Sequence, residues 1–101
     1  MISRSNKSNY VKIEQIIGCK WSVSVLMAIK NGKKRPGILE KSIEGISTKV
    51  LTERLKKLTN FGIIEKHSFN EIPPRTEYTI TKQGNKLASI IEQIQELEEE
   101  L

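Results

Sequence analysis

The sequence predicts an α+β domain, mainly α, and three observations predict it. Between residues 47 and 60 the apolar residues Val50, Leu51, Leu55 and Leu58 recur at helical spacing behind Ser47, a good helix cap. Residues 63–69 and 76–81 are rich in β-branched and aromatic side chains and flank a proline-bearing turn at 70–75. Beyond residue 82, Leu87, Ile90, Ile94, Leu97 and Leu101 step by three and four, with Ile91 widening the stripe. One hairpin therefore interrupts an otherwise helical chain that closes on a long helix.

Each element has its own signals. Residues 1–9 are polar, carry two bases and have no apolar periodicity beyond Ile2, so a flexible arm is expected there. Residues 10–101 then form one domain. Tyr10 to Ile17 fits a short helix that Gly18 ends. Trp21 opens a second helix, closed by Asn31-Gly32 and apolar nearly all round, which marks it as the central core element. Lys33-Lys34-Arg35 forms a basic turn or short strand. Pro36 fits the first position of a helix running to Glu44, with Ile38, Leu39 and Ile43 facing inward. Gly45-Ile46 joins it to the helix capped by Ser47, the signature of a helix-turn-helix. Gly62 stops that helix, and the hairpin with its stiff Pro-Pro-Arg tip follows directly. A helix-turn-helix followed by such a hairpin is a winged helix-turn-helix with a two-stranded wing. Thr81 then caps the last helix, residues 82–101. Its apolar seam can pack on its own domain or pair with a second copy, and the second is expected, because so small a domain has little spare core to cover it.

Charge narrows the partner. The net charge of +5 conceals an uneven distribution. Residues 1–86 hold all 17 Lys and Arg against 7 Glu, while residues 87–101 hold 5 Glu and no base. A strongly basic body suits a polyanion. No apolar run is long enough to span a bilayer, and no signal-peptide core follows the polar start, so a cytoplasmic protein without membrane association is expected. One Cys, one His and no Asp leave no Cys-based cluster, metal site or nucleophile–base set. No enzyme activity and no cofactor are expected.

The helix over 47–60 is expected to enter the major groove of double-stranded DNA. Thr48, Lys49, Thr52 and Glu53 lie on its outer face and are candidates for base edges: Lys49 donating to guanine, Glu53 accepting from a cytosine amino group. Lys56, Lys57, Lys33, Lys34 and Arg35 are read as phosphate neutralisers, which position without specifying. Arg75 is the expected wing contact to the minor groove or a phosphate, supported by Lys66. Arg54 borders the apolar stripe and is open to two readings, a DNA contact or an ion pair with Glu77 or another internal acid. His67 reads as structural, and Trp21 as core or as the wall of a ligand pocket.

Four runs carry a family resemblance: Ile17-Gly-Cys-Lys-Trp21, residues 45–58, Pro73-Pro-Arg-Thr-Glu-Tyr78 and Ile80-Thr-Lys-Gln-Gly84. In order and spacing the chain resembles the HxlR-type winged-helix regulators, which are related to the MarR family. The resemblance implies a bacterial, homodimeric transcription regulator on a palindromic operator. Its first and last helices would form the dimer interface, which here means Tyr10, Ile13, Ile17, Leu87, Ile90, Ile91, Ile94 and Leu97. Two departures stand out. Pro36 replaces the Phe that many members carry after the equivalent of Arg35. Members that sense oxidants carry a cysteine ahead of their first helix, where this chain has none. Cys19 is the only candidate redox position, with a small core residue as its competing role, and the sequence identifies no small-molecule effector. The rival reading is a winged-helix protein-interaction module without sequence-specific DNA binding, which calls for a neutral or acidic helix face and wing, the opposite of what is expected here.

Overall fold

The computed structural model describes residues 10–101, and the arm expected over residues 1–9 lies outside them. The elements run α1 (Val11–Ile17), α2 (Lys20–Lys30), α3 (Pro36–Ser42), α4 (Thr48–Asn60), β1 (Ile64–Phe69), β2 (Arg75–Ile80) and α5 (Lys82–Glu100).

Helix α2 is the hub, as its composition requires. It packs against α1, α3, α4, α5 and β2, and Val25, Leu26 and Ile29 lie fully within the core. Around them close Leu39 of α3, Leu51, Leu55 and Leu58 of α4, Ile64 and Tyr78 of the hairpin, and Leu87 and Ile91 of α5. The caps follow the sequence. Ser47 Oγ accepts from Val50 N–H at 3.1 Å, and Gly62 ends α4 at φ +74, where a side chain is disfavoured.

β1 and β2 pair antiparallel from Ile64 opposite Ile80 to Phe69 opposite Arg75. The expected basic turn at 33–35 joins them by one bridge, Tyr78 N–H donating to the Lys34 carbonyl at 2.8 Å. This bond sets the basic segment beside the wing. Thr81 locks the hairpin to α5. Its hydroxyl accepts from Gly84 N–H at 3.0 Å and donates to the Gly62 carbonyl at 2.7 Å.

The structure corrects three expectations. Ile38 does not face inward: α3 is only 7 residues long, and Leu39 with Ile43 forms its buried edge while Ile38 is 49% exposed. The link from α3 to α4 spans residues 43–47, longer than the Gly45-Ile46 connection expected. Leu87 and Ile91 are 4% and 3% exposed in the single chain, because the first half of α5 lies on α2 and fills this protomer's own core. A partner would find little of either to cover. What remains bare on α5 is Ile90, Ile94 and Leu97, each 42–55% exposed, and Tyr10, Val11 and Ile13 of the first helical segment are exposed as well.

Candidate nucleic-acid interface

Helix α4 buries Leu51, Leu55 and Leu58, so the residues half a turn away must face out. At 100° per residue the outermost row is Lys49, Glu53, Lys56 and Asn60, all exposed. No ion pair or hydrogen bond among the described residues holds Lys49 or Lys56. Asn60 escaped the sequence reading because it stands next to the helix stop; only the angular count from the buried leucines identifies it.

Two of the candidate base readers are engaged within the protein. Thr48 Oγ1 donates to Glu40 Oε2 at 2.8 Å, tying α4 to α3. Thr52 Oγ1 donates to the Thr48 carbonyl at 2.8 Å. Both keep lone pairs to accept with, so both remain usable.

The cations divide into free and engaged sets. Lys34 and Lys66 are exposed and without an ion pair among the described residues. Lys57 instead donates to the Gln15 carbonyl at 3.1 Å and ties α4 to the end of α1. Arg35 lies 3.6 Å from Glu77. Arg75 is not at the tip of the wing but is the first residue of β2, with its guanidinium 3.1 Å from Glu71, 3.6 Å from Glu77 and 4.1 Å over the Phe69 ring. The loop 70–74 instead carries Ile72, fully exposed between Glu71 and Pro73-Pro74. Between α4 and the hairpin runs a groove of about 300 Å³ lined by Thr52, Lys56, Thr59, Asn60, Lys66 and Tyr78. It brings a lysine from each element to one concave strip.

Arg54 settles between its two readings in a third way. It does not pair with Glu77 but lies 3.6 Å from Glu53, an acid of the outward row, and donates from Nε to Cys19 Sγ at 3.3 Å. Cys19 is half-buried at the N-cap of α2. Burial pushes its thiol up, but hydrogen bonds from the side chain and backbone of Ser22 and from Arg54, with the Arg54 charge, outweigh that and bring it from 9.0 to about 7. His67 Nε2 lies 2.9 Å from Thr79 Oγ1, a structural histidine as read. Trp21 is half-buried on the core edge, with Lys20 Nζ 4.8 Å from its ring centroid.

These elements define a winged helix-turn-helix protein: α3, link and α4, then a two-stranded wing, then a long terminal helix. The chain belongs to the HxlR-like helix-turn-helix family, whose model it matches over residues 16–101. It is 38% identical over 79 residues to an HTH-type transcriptional regulator of Synechocystis, a match covering 78% of this chain and 58% of that protein. It is 32% identical over 80 residues to the HTH-type transcriptional regulator YtcD of Bacillus subtilis, covering 79% of this chain and 64% of YtcD. The chain thus matches about three-fifths of the length of these relatives. A MarR-family transcriptional regulator structure from Porphyromonas gingivalis superposes with a TM-score of 0.79 at 35% identity, covering 99% of this chain and 97% of that one. No helix among the described residues is long and apolar enough to cross a membrane.

Proposed function

We propose that this chain acts in the cytoplasm as a homodimeric, sequence-specific DNA-binding transcriptional regulator, with α4 in the major groove and the wing against the adjacent backbone. The observation that carries the reading is the outward row of α4, where no ion pair or hydrogen bond among the described residues holds Lys49 or Lys56. Lys49 and Glu53 are the base readers, with Thr48 and Thr52 beside them. Lys34, Lys56 and Lys66 neutralise phosphates, with Lys33 behind them. Arg35, Lys57 and Arg75 contribute only as far as DNA displaces their protein partners. Two copies joined through Tyr10, Ile13, Ile17, Ile90, Ile94 and Leu97 would present two α4 helices to a palindromic operator.

Selection of bound duplexes from a random pool tests this. The expected product is a palindrome with half-sites about one helical turn apart. The Lys49→Ala variant should weaken the selected duplex by about 1–3 kcal/mol and relax one base position. Equal loss on selected and random duplex would remove Lys49 from base reading.

The wing favours the second reading, a protein-interaction module: Glu65, Glu71 and Glu77 outnumber its Lys66 and Arg75. Titration at two salt concentrations separates the two. Binding that is absent at low salt supports the module.

A further inference from the structure

Arg54 is the only arginine of α4, and it turns toward α2. Its guanidinium is a planar fork, so a contact at Nε fixes the plane in which the terminal nitrogens point. Here that contact is Cys19 Sγ, and the terminal nitrogen reaches the Glu53 carboxylate. Cys19 is itself rigidly placed, as the N-cap of the helix that carries the core residues Val25 and Leu26. Ser22, fully buried one turn on, turns its hydroxyl toward the same sulfur.

A free glutamate on the outward row would sample many rotamers and be repelled by phosphates. The geometry points to Arg54 as a positioning residue for base recognition: anchored at Nε by Cys19, it holds the Glu53 carboxylate in place on the face of α4 that meets DNA and offsets its charge. This rests on the regulator reading above and assigns it a determinant of specificity outside the contact surface. A lysine would not substitute, since an ammonium on a flexible stem cannot join both partners in one plane.

The test uses the duplex selected from a random pool and copies with each cytosine replaced in turn. Glu53→Gln should cut the preference for one C·G pair about tenfold. Arg54→Lys and Arg54→Gln should cut that same preference about fivefold or more, with no further loss when combined with Glu53→Gln. Binding to random duplex should change less than about threefold in these variants. Cys19→Ser, which keeps an acceptor, should retain the preference, and Cys19→Ala should lose it. Independently of DNA, the pH midpoint for alkylation of Cys19 by iodoacetamide should rise from about 7 in both Arg54 variants.

Unchanged base preference in Arg54→Lys, identical behaviour of Cys19→Ser and Cys19→Ala, or an unmoved thiol midpoint would each overturn the inference. A wild-type protein that distinguishes no duplexes would overturn the regulator reading and with it the role of Glu53. The thiol midpoint would then still report whether Cys19 anchors Arg54.

Discussion

Gly84 shows how much depends on one absent methyl group. A Cβ built there would stand 2.1 Å from the Ile63 carbonyl oxygen and 2.7 Å from Ile80 Cγ1. Neither a backbone carbonyl nor a packed isoleucine can yield that far, so Gly84→Ala must lift α5 off the hairpin. The expected loss is about 3 kcal/mol, read from a urea transition with unchanged slope. Cys19 sets a residue-scale pH dependence of the opposite character. Its thiol titrates lower in the folded chain, about 7 against 9.0, so the folded state binds fewer protons than the unfolded one between those values. Stability contributed by the thiolate is therefore complete above pH 9, and it is lost as pH falls through 7. Unfolding midpoints of wild type and Cys19→Ala measured from pH 6 to 9.5 should diverge upward for the wild type; parallel curves would contradict the Arg54 and Ser22 contacts.

At the scale of elements, the caps were readable because each uses a local rule. Ser47 and Thr81 precede apolar-periodic runs, and both accept from the third residue on. Their loss should differ in size. Ser47→Ala removes one exposed bond and should cost about 1 kcal/mol. Thr81→Ala also breaks the bond to the Gly62 carbonyl, so it should cost more, about 2 kcal/mol. Thermal denaturation of the two variants side by side measures the difference. The wing was legible as a hairpin but not in its charge arrangement. Proline placement marks a turn, whereas the pairing of Arg75 with Glu71 and Glu77 depends on register, which puts Arg75 opposite Phe69 and beside both acids. The same dependence on angle exposed Ile38: an apolar residue 100° from the buried edge of a short helix has nothing to pack against.

Two features of the whole molecule bear on its assembly. On α5, Ile90, Ile94 and Leu97 are exposed, and the last turns carry Glu96, Glu98, Glu99 and Glu100 at the negative end of the helix dipole. Such a segment is poorly stabilised alone. In Ile94→Glu/Leu97→Glu, sedimentation should show a monomer, and amide exchange should accelerate beyond Ile91 while the half anchored by Leu87, Ala88 and Ile91 stays protected. A dimer that survives both charges would place the interface elsewhere. Salt gives the second whole-molecule expectation. Lys34, Lys49, Lys56 and Lys66 have no ion pair among the described residues, so a dimer presenting them would neutralise about six to eight phosphates. Affinity should then fall roughly a thousandfold or more between 50 and 200 mM salt. A shallow slope would mean that the wing and basic turn do not reach the backbone.

The sequence by itself determined the order of elements, their caps, the central place of α2 and the basic character of α4. All of these follow from periodicity, Gly and Pro placement and charge, which act over a few neighbouring residues. Tertiary structure alone decided which cations stay without an ion pair among the described residues, which part of α5 belongs to its own core, and that Arg54 turns toward Cys19. Those outcomes depend on which side chains from distant segments meet, such as the 35 residues separating Arg54 from Cys19, and no local pattern encodes that distance.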